Sequence, residues 1–325
     1  MSTRLAKTGR LIDRTKPMDF RFNGKRFKGY AGDTLASALL ANGQVLVGRS
    51  YKYHRPRGIV AAGPEEPNAL VGLGREGRFE PNQRTTTTEL FDGLYATSQN
   101  HWPSLEFDVG AVNRVMSRFF PAGFYYKTFM FPRFAWKHLF EPVVRQAAGL
   151  GKPPKHRDAD RYEYFYYHSD IVVIGGGIAG LQAALQAGRA GAKVLLVEQT
   201  AHWGGRAPVD GAKIAGKPAA DWVAGAVAEL QAMDNVTLRN RTMGAGVYDH
   251  GYLTAYERLS DHAPETPGPR HRLWRIRARR IITATGAIER PLAFAGNDVH
   301  RASQHDTGNI VAGNDVPGVM LAGAV

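Results

Sequence analysis

The spacing of apolar positions changes several times along this chain, and each change marks an element. From Phe20 to Tyr30 apolar and polar residues alternate around Asn23-Gly24. Asn-Gly supplies the positive φ angles of a two-residue turn, so the segment predicts a β-hairpin. Asp33 or Thr34 then caps a short helix, Leu35 to Ala41, that stops at Asn42-Gly43. The run Thr85 to Thr88 suits an edge strand or a turn. Further on, Asp170 to Ile174 is a β-branched apolar run, Leu181 to Arg189 has helical spacing, and Lys193 to Val197 is a second apolar run. Asp221 to Met233 reads as an amphipathic helix and Val236 to Leu238 as the next parallel strand. Gly246 to Tyr256 and Leu273 to Ile276 read as an antiparallel meander ahead of a closing strand, Arg280 to Ala287. A last strand, Val319 to Val325, is expected to run toward the same end of that sheet.

The strand that ends at Ile174 runs straight into Gly175-Gly176-Gly177-Ile178-Ala179-Gly180, a G-x-G-x-x-G at the mouth of a helix. In such a turn Gly175 bends the chain, Gly177 lets backbone approach a pyrophosphate, and Gly180 lets helix and strand pack closely. The diphosphate would rest on the helix N-terminus, where unpaired N–H groups and the dipole favour an anion. Glu198 closes the second strand at the place where an acid accepts from a ribose 2′-hydroxyl. His202-Trp203-Gly204-Gly205-Arg206 follows. Its glycines suit a second backbone segment beside the diphosphate, with Arg206 as a planar fork for phosphate; the alternative is a plain Gly-Gly turn with a solvent-facing arginine. The closing strand ends in Ala284-Thr285-Gly286, a small-residue backbone where larger residues would meet the nucleotide. The candidate cofactor-binding set is therefore Gly175, Gly177, Ile178, Gly180, Glu198, Gly204, Gly205, Arg206, Thr285 and Gly286. No residue suggests itself as a catalytic base, nucleophile or metal ligand; His54 reads as a hydrogen-bonded surface histidine.

Composition narrows the chemistry. There is no cysteine in 325 residues, which excludes disulfides, thiolate metal sites and dithiol chemistry, and on this ground no iron–sulfur cluster is expected. No apolar run approaches the roughly 18 residues of a membrane span. The formal charge is +13. Its arginines are dispersed, and many fall in a strand-like alternation of imperfect phase, Arg272-Leu273-Trp274-Arg275-Ile276-Arg277-Ala278-Arg279-Arg280, where they would share the solvent side. No nucleic-acid signature accompanies them, so an acidic partner subunit or an anionic substrate is the expected counterpart. No secretory signal is read, and a cytoplasmic location is expected.

These elements divide the chain into a basic N-terminal arm (1–15), disordered or clasping a partner, and a small ferredoxin-like β-grasp domain without cluster (16–105). An aromatic-rich connecting segment (106–165) and a Rossmann-type domain (166–325), expected to be truncated at its C-terminus, complete it. The fold class is α/β, with the second domain of the two-dinucleotide-binding flavoprotein kind. The aromatics of the connecting segment, from Phe119 to Trp136, and the run Tyr162 to Tyr167 are expected to pack in a core or a subunit interface.

Several longer segments carry a more specific likeness: Arg10 to Arg14, Gly29 to Leu39, Gly48 to Gly58, Gly63 to Ala69, Ala122 to Phe129, and Thr285 to Pro291. In these the chain resembles the N-terminal third of the alpha subunit of heterotetrameric sarcosine oxidases. The resemblance implies oxidative demethylation of sarcosine, a small secondary amine, to glycine. It implies NAD in the Rossmann domain of this chain, held by Gly175, Gly177, Gly180 and Glu198 together with Gln199 and Arg206. It also implies FMN at the interface with a beta subunit that carries FAD, and smaller subunits completing the heterotetramer. Two other readings stay open: an FAD-binding subunit of a related amine or amino-acid dehydrogenase, and a non-catalytic dinucleotide-binding scaffold. Glu198 does not separate NAD from FAD, because both present a free adenosine ribose.

Overall fold

The computed structural model describes residues 3–7, 9–115, 131–147, 151–289, 317–318 and 320–321. They fall into two compact units, one of Met1–Ala6, Ile12–Ala159 and Ile288–Val325, the other of Lys7–Leu11 and Asp160–Ala287.

In the first unit, strands β1 (Asp13–Phe22) and β2 (Lys25–Ala31) form the hairpin, with Asn23 at φ 49° and Gly24 at φ 80° in its turn. Helix α1 (Leu35–Ala41) follows. Thr34 caps it by accepting from the Ser37 backbone N–H, and Ser37 Oγ accepts from the Thr34 N–H. Strands β3 (Leu70–Leu73), β4 (Glu80–Arg84) and β5 (Tyr95–Ser98) complete a five-stranded sheet of order β2-β1-β5-β3-β4. β1 and β5 lie parallel at its centre, and every other pairing is antiparallel, the arrangement of a β-grasp. Phe20, Phe22, Leu35, Leu39, Val71 and Leu94 are buried between sheet and helix. Thr85 to Thr88 is a turn beyond β4.

The basic arm, expected to be disordered or to clasp a partner, makes contacts within the chain where it is described. Arg4 donates two hydrogen bonds to the buried Asp33 carboxylate, at 3.0 and 2.6 Å. Arg10, which belongs to the second unit, donates to the Val209 carbonyl at 2.7 Å. Leu321 also departs from expectation: its N–H donates to the Val60 carbonyl at 2.7 Å, within the first unit. The rest of Val319 to Val325 apart from Met320, and the aromatics from Phe119 to Phe129, lie outside the described residues.

The second unit is a six-stranded sheet of order β8-β7-β6-β11-β10-β9. Its elements are β6 (Tyr162–Ile174), α2 (Ile178–Arg189), β7 (Val194–Val197), α3 (Ala219–Gln231), β8 (Val236–Arg239), β9 (Thr242–Tyr248), β10 (Tyr252–Arg258) and β11 (His271–Thr283). β8, β7, β6 and β11 are parallel neighbours, while β11, β10 and β9 form the antiparallel meander. The meander's third strand and the closing strand are thus one continuous element, and β6 reaches back to Tyr162 to pair with all of it. The doublet Arg279-Arg280 breaks the alternation there, but backbone pairing to β6 is indifferent to side chains. Helices α2 and α3 cover one face over Val173, Leu181, Leu196 and Leu230. Val172, Leu195, Leu253 and Trp274 form a second core. Among the described residues no helix is long and apolar enough to cross a membrane.

Candidate dinucleotide site

At the end of β6 the chain turns at Gly175, whose φ is +105°. A Cβ there would stand 2.4 Å from the Ala284 carbonyl oxygen and 3.2 Å from the Thr285 nitrogen, so the end of β11 lies directly against the turn. At Gly180 a Cβ would stand 1.8 Å from the Gly175 carbonyl oxygen; only glycine lets α2 begin this close to the strand. Gly177 is different. Its φ of −69° is open to any residue, and a Cβ there would meet nothing within 4 Å. The open space lies at the amino end of α2, where no side chain caps the helix. Those N–H groups are the ones an anion satisfies.

A second backbone segment borders this space. Gly204 N–H donates to the Gly176 carbonyl at 2.7 Å, and Gly204 bridges Gly177 in parallel fashion. A Cβ on Gly205 would approach the Gly177 Cα to 3.3 Å. Trp203 seals the loop from behind: a Cβ on Gly176 would come within 2.5 Å of its ring. Trp203 was absent from the sequence-derived set, although its place beside the double glycine was the available signal.

Glu198 follows β7 and is 7% exposed. Its Oε2 accepts from the Gly176 N–H at 2.7 Å, and its Oε1 accepts from the Thr200 N–H and hydroxyl at 2.8 and 2.9 Å. Each carboxylate oxygen has more than one acceptor direction, so these bonds hold the glycine loop while leaving capacity for a ribose hydroxyl. The structure thus brings together Gly175, Gly177, Gly180, Glu198, Gly204, Gly205 and Thr285. Gly286, at φ 69°, has open space where a Cβ would stand. Ile178, the first residue of α2, packs on the helix-side core. Gln199 presents its carbonyl to Arg258, which donates at 2.9 Å. Arg206 places its guanidinium on Asp210 at 3.0 Å, a side-chain pairing one helical turn away that the sequence reading did not anticipate.

In the first unit the most organised polar group is Glu66, 1% exposed. Its Oε2 accepts from the Val60 and Ala61 N–H groups, both at 2.8 Å, and its Oε1 from those of Asn68 and Ala69, at 2.7 and 2.9 Å. His54 Nδ1 lies 2.7 Å from the buried Asp108 carboxylate, a partnered histidine. Among the described residues no group of three His, Cys, Asp or Glu side chains is arranged to hold a metal ion.

Two families match the chain. Residues 15–101 match the 2Fe-2S iron-sulfur cluster binding domain, and residues 170–254 match the FAD dependent oxidoreductase family. These matches correct the cofactor expectation, which put NAD before FAD in the nucleotide domain and expected no iron–sulfur cluster in the ferredoxin-like one. The nucleotide domain is of the FAD oxidoreductase kind, and the β-grasp is a cluster-binding type of domain. The residues present do not fit that cluster, since the chain supplies no thiolate, and no chemistry is routed through iron here. For FAD the residues fit: the cradle at Gly177, the uncapped α2 and the Glu198 carboxylate are what a dinucleotide with free ribose and diphosphate requires.

The solved structure of L-proline dehydrogenase from P. horikoshii is similar over 90% of this chain and 46% of that one, with a TM-score of 0.54 and 21% identity, a likeness of fold. The sarcosine oxidase subunit alpha of Rhizobium meliloti (strain 1021) is 52% identical over 326 residues, all of this chain and 31% of the relative. That of Corynebacterium sp. (strain P-1) is 34% identical over 97% of this chain and 26% of the relative. This chain therefore spans under a third of the length of these curated relatives. Throughout its own length it belongs to the sarcosine oxidase alpha-subunit family, of which it corresponds to the N-terminal third.

Proposed function

We propose that this chain is the FAD-binding portion of the alpha subunit of a multi-subunit, cytoplasmic amine oxidoreductase of the sarcosine oxidase type. The observation that carries the reading is the open cradle at Gly177, walled by the Gly204-Gly205 backbone and backed by a buried carboxylate that holds the loop. In this reading Gly177, Ile178 and the first turn of α2 receive the diphosphate, Glu198 accepts from the adenosine ribose, and Thr285-Gly286 borders the nucleotide on the far side. FAD supplies two-electron acceptance when bound. The chain's own residues bind and orient it and exclude a 2′-phosphate by the charge of Glu198; among the described residues none stands out at the site as a proton-transfer group. Oxidation of sarcosine to glycine thus belongs to the assembled complex. The proposed division of the chain is a β-grasp domain at 16–105, a connecting segment at 106–165 and the nucleotide domain from 166 onward.

The test is to purify the chain natively, denature it, and identify the released nucleotide by absorbance and mass. FAD supports the reading; release of NAD, or of no nucleotide from a well-folded protein, overturns it. Co-production with the other subunits of the complex should yield sarcosine-dependent oxidase activity that Gly177→Val abolishes, and activity unchanged in that variant would move the site elsewhere.

A further inference from the structure

Away from the glycine loop, the front half of the second sheet carries an unusual face. Alternate residues of β6, Tyr162, Tyr164 and Tyr166, are 50%, 64% and 65% exposed. Register sets Tyr164 opposite Leu273 and Tyr166 opposite Arg275 on β11, and Arg277 opposite Tyr252 on β10. The guanidinium of Arg275 lies 4.7 Å from the Tyr164 ring centroid and 5.4 Å from that of Tyr166, and donates to the Tyr166 hydroxyl at 2.6 Å. Arg277 lies 4.9 Å from the ring of Tyr252, which in turn contacts Tyr248 at the sheet edge. The sequence reading took these arginines for a solvated stripe; they lie over tyrosine rings.

Among the described residues the one carboxylate on the positions of β6, β10 and β11 that share this face is Asp170, at the far end of β6, where it pairs with Arg279 at 3.3 Å. Glu163 and Glu257 belong to the opposite face, where both pair with Arg272. At the near end of the sheet Asp261 is bound to Arg270 and His271, and Asp160 to Arg270. Asp249 stands in the turn after Tyr248. Around Arg275 and Arg277 the face therefore presents cationic forks and tyrosine hydroxyls with no carboxylate paired to either arginine among the described residues. Tyrosine and arginine are the residues most enriched where protein partners bind tightly, and a stacked guanidinium loses little freedom when it takes a carboxylate.

We propose that this tyrosine–arginine face is a docking surface for an acidic segment of a separate polypeptide, whose carboxylates pair with Arg275 and Arg277. A second copy of this chain is the wrong partner, because a two-fold contact would set guanidinium against guanidinium on a molecule of charge +13. Nucleic acid is the less favoured occupant because a guanidinium already takes one face of each of Tyr164, Tyr166 and Tyr252, which leaves fewer ring faces for base stacking.

The test uses the full chain with poly-L-glutamate as the acidic probe and polyuridylate as the nucleic-acid probe, both titrated by intrinsic fluorescence. R275E/R277E should weaken poly-L-glutamate binding at least tenfold. R26E/K28E, which makes the same change of charge on exposed positions of β2, should weaken it less than threefold. R277E alone serves if the double variant does not give a native near-ultraviolet spectrum. Equal losses in the two double variants would reduce the effect to net charge and overturn the proposal. Tighter binding of polyuridylate, or a concentration-dependent dimer lost in R275E/R277E, would overturn it in favour of the other occupants. Nucleotide release on denaturation should be unaltered in R275E/R277E, so this outcome is read independently of the dinucleotide site.

Discussion

Gly177 and Gly180 stand three positions apart and differ in what a side chain would meet. At Gly177 a methyl group points into open space with φ at −69°, so Gly177→Val should leave the melting temperature of the nucleotide-free protein unchanged and remove dinucleotide binding. At Gly180 the same methyl group would strike the Gly175 carbonyl. Gly180→Ala should therefore lower stability by about 3 kcal/mol, the upper part of the usual cost of overpacking, as measured by urea denaturation. If both variants bind and fold alike, the assignment of space and contact is wrong. Glu198→Ala should weaken nucleotide binding by about 1–3 kcal/mol, the range for hydrogen bonds to a charged group, and a titration with unchanged affinity would remove Glu198 from the site. The glycines and Glu198 were readable because their roles follow from fixed backbone spacing. Trp203 and the pairing of Arg206 with Asp210 were not, because a side chain's partner is settled by packing.

Glu66 and His101 show what loops of the first unit require of their polar groups. Four N–H groups converge on the Glu66 carboxylate, two on each oxygen. An amide in its place would turn an NH2 group toward one of these pairs, so Glu66→Gln should cost about 3 kcal/mol, the upper range for charged hydrogen bonds. Thermal unfolding of the variant checks this, and an unshifted midpoint would mean the loop is held by other contacts. His101 gives Nε2 to Ser98 Oγ at 2.6 Å, while its Nδ1 is buried with no hydrogen-bond partner among the described residues. Burial pushes its pKa below the usual 6.5. The unfolded chain then takes up the proton first, so the contribution of this site is full above the ordinary histidine value and is lost as pH falls toward the lowered one. His101→Gln should flatten the fall of melting temperature between pH 7 and pH 5; an identical slope would exclude His101 as its source. At this scale the hairpin, α1 and the parallel strands were legible from period and caps. The union of meander and closing strand in β11 was legible only in part: the alternation from Arg272 reads as a strand, but the doublet Arg279-Arg280 breaks its phase.

For the whole molecule the order of modules was legible, because a hairpin-and-helix opening and a strand–glycine–helix–strand series each have few structural solutions. The tethering of Arg4 to Asp33 and of Leu321 to Val60 was not, since contacts between distant parts of the chain leave no local period. Within the second unit, β6 and β11 keep one parallel register from Tyr162–His271 to Ile174–Thr283. Their amides should therefore exchange with deuterium together and more slowly than those of the outer strands β8 and β9. Mass spectrometry of peptides covering 163–173 and 272–282 would show this, and separate exchange of the two strands would contradict it.

That shared register also sets a timetable for the ribosome. The strand that opens the nucleotide unit must wait for a neighbour 109 residues downstream (271 − 162) before its backbone is paired on that side. Pairing across such a separation is slow, and synthesis proceeds at roughly 5–20 residues per second. For several seconds the tyrosine-rich front of β6 leaves the exit tunnel as an unpaired edge, and it is in this interval that the nascent chain is most in need of a chaperone.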